Sequence, residues 1–382
     1  MTPAFILTDS NHTLTGVGIT ATWGDAASAR AALSNGEVPL IVGALPFHHH
    51  EPAALFTPER YWFNHGPARP VPSFAEDATA ARPSDRMPVQ ILSETDHHPR
   101  EVHTVRVRRA VDLLRMGAMD KIVLSRAVQF HLDHPVAPRE LFEHYVAGSG
   151  TGHGHLVDLS SASARTHGHY LVGSSPELLI AKRGRHITSH PLAGTAPRSA
   201  DPVKDQALAT ELLLSEKNRA EHAYVTSEIR RLLTPYCSEL YIPRSPSLTS
   251  SSHTWHLGTP MWGTLKDESV SALELAEVLH PTPAVGGYPT QIAQAFLAEE
   301  EADRGFYAGA LGWSDKHGNG EWRVTIRSAI IDGDTVTAHA GGGIVAESDP
   351  ETEFAETETK LGPVRAALTA CQVDREHADV CS

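Results

Sequence analysis

GGGIVAESDPETEFAETETK, residues 341–360, sets three glycines against five glutamates and one aspartate and closes on a lysine. Before it, short apolar stretches read as strands near 307–313, 321–331 and 335–340. Within it, Ser348 or Asp349 can cap a helix whose first turn holds Pro350. Strands running into a long helix recur upstream. A helical pattern at 101–115 carries Val107, Val111 and Leu114, and Gly117 ends it. KIVLSRAVQF (121–130) reads as a strand. Residues 169–198 read as successive strands joined by tight turns at 174–176 and 183–184. The spacing then predicts one long helix over 202–234, a short strand in HLGTPMWGTL (256–265), a helix over 269–279, and irregular chain in HPTPAVGGYPT. This mixture predicts an α+β fold, antiparallel sheets with helices packed outside. Residues 1–100 read as strands on one side of a sheet, with an exposed loop at 64–86. No linker divides the chain, so a single domain over 1–382 is expected, with a variable part over 1–100 and the chemistry over 101–365.

Net charge narrows the function. With 46 acidic against 32 basic residues the chain carries −14, which disfavours nucleic acid as a partner. A small anionic substrate would also be repelled unless the site supplies positive charge through Arg, Lys, backbone N–H groups or a metal. No apolar run approaches the ~20 residues of a membrane span, and no secretory signal is visible at the start. Cys237, Cys371 and Cys381 lack metal-type spacing and suit a reducing cytoplasm as inert thiols. The histidine clusters at 48–50, 97–98, 153–155 and 167–169 lack helical zinc spacing and read as neutral, solvated loop residues.

Candidate chemistry sits on several elements. On the long helix Leu214, Val225, Ile229 and Leu232 share a stripe, with Glu221 in its middle and Asn218 beside it. An inward carboxylate must be protonated, paired or metal-bound, unless the helix end dips into solvent. Glu353, Glu356 and Lys360 share a helix face beside the apolar Phe354 and Leu361, although first-turn carboxylates also simply complement the helix dipole. Together these carboxylates make a hard-oxygen set suited to Mg²⁺. The glycines, without side chains and with free N–H groups, let a carboxylate approach closely. Lys121 opens a buried strand and is either a snorkelling lysine or a base. Glu177, where a turn becomes an apolar strand, is a candidate acid. Arg327, between inward-pointing apolar residues, calls for an anionic partner.

KIVLSR, SSPELLI, PLAGTAPR, KNRAEHAYV, HPTPAVGG, FYAGALGW, VTIR and the 341–361 stretch, in this order, together resemble the chorismate-utilising enzymes. The resemblance covers about 119–363 and is greatest to the isochorismate synthase branch of siderophore and menaquinone pathways, with chorismate as substrate and Mg²⁺ as cofactor. It implies Lys121 as general base and Glu177 as general acid. It implies Glu221 and Glu356 as metal ligands, with Glu353 close by. Arg327, Tyr307, Gly341 and Gly343 would hold the enolpyruvyl carboxylate near Lys360, and Thr195, His256 and Ala284 would line the ring pocket. Salicylate synthases and anthranilate or aminodeoxychorismate synthases are the neighbouring alternatives, and a non-catalytic chorismate-binding protein a distant one. The small Ala284 in HPTPAVGG favours isochorismate, and the compact length favours the siderophore type. A monomer is expected.

Overall fold

The computed structural model describes residues 2–67, 88–301 and 303–373. Most of the loop expected at 64–86, and Cys381, lie outside them. Among the described residues every strand pairing is antiparallel. Two large sheets of ten and nine strands and a small sheet of three carry the architecture. Near one end of the ten-stranded sheet the strand Lys121–Leu132 pairs along Thr335–Ile344 from Thr335↔His131 to Ile344↔Ile122. The three-stranded sheet combines Leu192–Pro197, Thr254–Gly258 and Ser247–Ser250.

Three buried clusters explain the layering. One joins the two large sheets through residues such as Phe5, Leu14, Val42, Phe56, Leu171 and Leu311. A second packs the ten-stranded sheet against the helices Pro138–Gly148 and Pro350–Val373 through Val128, Phe130, Leu141, Leu361 and Leu368. The third seats the helices Ala26–Ser34, Glu216–Leu233 and Ala272–Leu279 around Ile180, Val225, Leu275 and Trp322. Such clusters, removed from water at roughly 25 cal/mol per Å² of apolar surface, give the site a rigid frame.

Several expectations are corrected. Residues 1–100 do not stay on one side of a sheet: Phe5–Thr8 and His12–Val17 join the ten-stranded sheet, whereas Leu40–Leu45 and Ala54–Thr57 join the other. The helix Ala26–Ser34 was not anticipated; Asp25 caps it by accepting from the Ser28 N–H at 2.7 Å. The long helix is two, Pro202–Leu214 and Glu216–Leu233, because the Ser215 hydroxyl caps the second by accepting from the Asn218 N–H at 3.3 Å. Leu214 is therefore exposed rather than on the inward stripe. HLGTPMWGTL holds two strands, Thr254–Gly258 and Met261–Leu265. The glycines 341–343 belong to a strand rather than a loop. His155 is buried in the strand Gly154–Asp158, not solvated, and burial lowers its pKa to about 3. His12, outside the clusters, is raised to about 9 through hydrogen bonds to Asp9 and Glu321.

The most consequential correction concerns 174–176, which is no hairpin turn. Tyr170–Gly173 lies in the ten-stranded sheet and Leu178–Arg183 in the nine-stranded one, so the chain changes sheet there. It changes back between Gly320–Val324 and Ser328–Asp332. The two crossovers lie side by side: Ser174 N–H donates to the Arg327 carbonyl at 3.0 Å, and Val324 N–H to the Glu177 carbonyl at 3.1 Å. Glu177 and Arg327 thus stand together where both sheets release the chain.

Candidate active site

A cavity opens at these crossovers. It is lined by Glu177, Thr195, Glu221, His256, Ala284 and Tyr307, and by Arg327, Gly341, Gly343, Glu356 and Lys360. Eleven of the thirteen residues singled out in the sequence therefore meet in one place. The other two, Lys121 and Glu353, stand immediately behind the lining.

Arg327 holds an unusual backbone, φ 53, in the left-handed region that non-glycine residues seldom adopt. Its guanidinium makes no hydrogen bond or ion pair with a described residue. A strained, half-buried cation with no hydrogen-bond partner among the described residues can receive an anion.

The open edge of the strand Thr335–Ile344 faces this arginine. Its partner Ser328–Asp332 pairs only as far as Ala338, leaving the edge beyond it unpaired on that side. Val123 N–H donates instead to the Gly286 carbonyl at 2.9 Å, and Ser125 N–H to Glu301 at 2.6 Å. Their cross-strand neighbours Gly343 and Gly341 are thus non-hydrogen-bonded positions, with both peptide groups turned away from the Lys121 strand. The Gly341 carbonyl accepts from Lys360 Nζ at 2.8 Å, consistent with that orientation. The expected N–H groups are present, but as a rigid strand edge rather than a flexible loop.

The glycines are also steric requirements. A Cβ on Gly343 would lie 2.2 Å from Glu221 Oε1 and 3.2 Å from Lys121 Cε. The group that must yield is the flexible end of Glu221, so the fold survives and the site suffers. Gly343→Ala is expected to keep a cooperative melt while weakening Mn²⁺ binding roughly 10–100-fold, read by titration calorimetry. Unchanged affinity would show that Glu221 holds no ion.

Each of the three glutamates has its own lysine. Lys121 Nζ lies 2.9 Å from Glu221, Lys217 Nζ 2.7 Å from Glu353, and Lys360 Nζ 2.5 Å from Glu356. Lys121 is fully buried, which excludes a snorkelling lysine. Asp349 caps the helix Pro350–Val373 through Thr352 N–H at 2.9 Å, while Ser348 donates to Glu353 Oε1 at 2.7 Å. Burial pulls Lys217 down, but Glu353, Glu221 and Glu356 together overcome it and raise its pKa. Burial and the Glu356 charge raise Glu353. Glu353 Oε2 is buried without a hydrogen-bond partner. A set of carboxylate oxygens, one of them orphaned, fits a hard divalent cation such as Mg²⁺. The three do not form a tight ligand cluster as they stand: among the described residues the groupings within 4.8 Å are Asp9–His12–Glu321 and Glu140–His144–Cys371.

Glu177 is buried and its Oε1 lacks a partner. Burial is the main cause that lifts its pKa to about 8, against the pull of the Leu192 backbone, Lys121, Lys360 and Arg327. His256, held by Thr195 at 3.2 Å and Thr254 at 2.8 Å, is kept neutral by burial.

Three supporting residues went unnoticed in the sequence. Lys217 lies one helical turn before Glu221, the spacing that puts both on one face. His339 lines the cavity and stacks on Tyr307 at 5.1 Å, and its two-residue alternation with Gly341 and Gly343 marked that face. Arg304, fully buried, donates to the carbonyls of Val123 at 2.6 Å and Val285 at 2.8 Å and pairs with Glu301 at 2.6 Å. It ties the Lys121 strand to the segment carrying Ala284. No local pattern pointed to it.

Residues 72–369 match the family model described as chorismate binding enzyme. A putative isochorismate synthase MenF of Mycobacterium tuberculosis is 44% identical over 96% of both chains. Isochorismate synthase DhbC of Bacillus subtilis is 39% identical over 91% of this chain and 85% of its own length. Among solved structures, a putative 2,3-dihydroxybenzoate-specific isochorismate synthase of Bacillus anthracis superposes with a TM-score of 0.86 at 34% identity, covering 96% of each chain.

Proposed function

We propose that this chain, which belongs to the chorismate-binding enzyme family, is an isochorismate synthase: an isomerase that adds water at C2 of chorismate and expels the C4 hydroxyl. The observation that carries this reading is the pairing, in one cavity, of a buried carboxyl with a raised pKa and a partnerless guanidinium, with a carboxylate–lysine set on the cavity's other wall.

Arg327 and the N–H groups of Gly341 and Gly343 would hold the enolpyruvyl carboxylate, with Tyr307 alongside. Glu221 and Glu356, with Glu353 behind them, would hold Mg²⁺; the ion, when bound, supplies positive charge to the ring carboxylate. Lys121 would take a proton from the attacking water. Glu177 would give a proton to the departing hydroxyl, which leaves as water as both ring double bonds shift by one position. One water enters and one leaves, so the exchange is redox-neutral and reversible. Acid and base each contribute about 10²–10⁴-fold, and fixed charge at the two carboxylates contributes further. Thr195, His256 and Ala284 would bound the ring. The small Ala284 leaves no polar group to promote loss of pyruvate, which supports isochorismate as the released product. We assign the product to 2,3-dihydroxybenzoate-type siderophore supply, supported by the end-to-end likeness to the Bacillus anthracis protein.

The deciding experiment incubates the pure protein with chorismate and Mg²⁺, with and without ammonia, and separates the products by chromatography. Isochorismate is expected in both. Salicylate with pyruvate, or an aminated product only with ammonia, would instead assign the chain to a neighbouring branch.

A further inference from the structure

A second cavity adjoins the first. It is bounded by the helices Pro138–Gly148 and Pro350–Val373 and by the turn at 251–253. It has about 320 Å³ of free space, against about 60 Å³ in the catalytic cavity. Among the described residues only Pro176 and Arg327 line both, and these two stand at the partition. On a protein of net charge −14, no Asp or Glu is among the described residues lining this chamber. Its polar lining is Arg327, histidines including His153 and His253, and hydroxyls including Ser251 and Ser252.

The rim is built rather than loose. Ser251 and Thr254 hydroxyls bond at 2.8 Å, Arg198 N–H donates to the His253 carbonyl at 3.0 Å, and Thr254 continues to His256 at 2.8 Å. Across the gap a Cβ on Gly150 would lie 2.5 Å from Ser252 Oγ, so the turn at 251–253 and the 149–153 segment face each other closely. Arg327 lines both chambers, so its guanidinium stands where they meet.

We infer that this acid-free chamber is the antechamber through which an anionic carboxylate substrate reaches Arg327 and enters the catalytic cavity. The identity of the anion as chorismate rests on the function proposed above; the route to Arg327 does not. A local field of one sign, walled by low-dielectric protein, concentrates a ligand of opposite charge against the repulsion of the surface around it.

Two measurements test it. Ser252 is exposed and outside the catalytic set. Ser252→Asp is expected to lower kcat/KM for chorismate about tenfold at low salt, with recovery as salt is added, while the uncharged Ser252→Asn keeps it. Equal kcat/KM in the two variants would overturn the route. The second readout needs no turnover. Phenylglyoxal should modify Arg327, followed by peptide mass spectrometry, and a bulky maleimide on Ser252→Cys should slow that modification several-fold. An unchanged rate refutes the antechamber even if the enzyme is active. If the unaltered chain fails to turn over chorismate but shields Arg327 as described, the proposed activity falls and the chamber stands.

Discussion

Glu177→Gln is expected to lower kcat about 10³-fold with KM nearly unchanged, because it removes a proton donor while keeping the side chain's volume. In the unaltered enzyme a carboxyl with a pKa near 8 is protonated at neutral pH, and kcat/KM should fall as pH rises through about 8. The variant's residual rate should lose that limb. Stability supplies a readout independent of turnover. The folded-state pKa lies above the ordinary 4.5, so the folded chain holds this proton over a window where the unfolded chain has lost it. The contribution is full below 4.5 and is lost as pH rises through about 8. Glu177→Gln should therefore flatten the dependence of stability on pH across that window and melt higher than the parent at its alkaline end. A parent–variant difference in melting temperature that stays constant from pH 5 to 8 would show that the buried carboxyl is not perturbed.

On the function proposed above, the stretch at 341–360 would let an acidic chain receive a dianion. Its first half is a strand edge whose partner ends early, so backbone N–H groups face the cavity. Its second half is a capped helix that presents glutamates already matched by lysines. The positive charge is local and fixed, and the bulk of the surface stays acidic.

Much of this was legible because it is periodic. Glu221 among Val225 and Ile229, Glu353 with Glu356 and Lys360, and the strand from Lys121 all follow helix or strand spacing. The strand and the helix from Pro350 formed as read, and the Glu221 stripe kept its spacing although its helix starts at Glu216. The misses share a cause. Ser215 breaks a helix through one capping hydroxyl, which composition over a long window hides. The sheet changes at 174–177 and 325–327 depend on which sheet each strand joins, a choice made by partners far along the chain. Arg304 reaches carbonyls 19 and 181 positions away, and no local pattern encodes such a contact.

Arg327→Asn is expected to move activity and stability in opposite directions. The arginine costs the fold twice. Its backbone stands at φ 53, a conformation that costs about 1–3 kcal/mol for most side chains. Its guanidinium is also half-buried, and it meets no carboxylate at ion-pair distance, only the more distant charges of Glu356 and Glu177. Asparagine tolerates the left-handed region and carries no charge. A variant relieved of both burdens should melt a degree or more higher, at roughly 1–2 °C per kcal/mol in a chain of 382 residues. If the cation faces the enolpyruvyl carboxylate as proposed, its loss removes a charge pair worth about 2–5 kcal/mol, so kcat/KM should drop by roughly 30–4,000-fold. If Arg327 were a structural residue, the same substitution would lower the melting temperature and leave kcat/KM close to the parent. The two roles therefore predict opposite signs for the melting temperature, and a drop against no change in kcat/KM, so one thermal melt with one progress curve separates them.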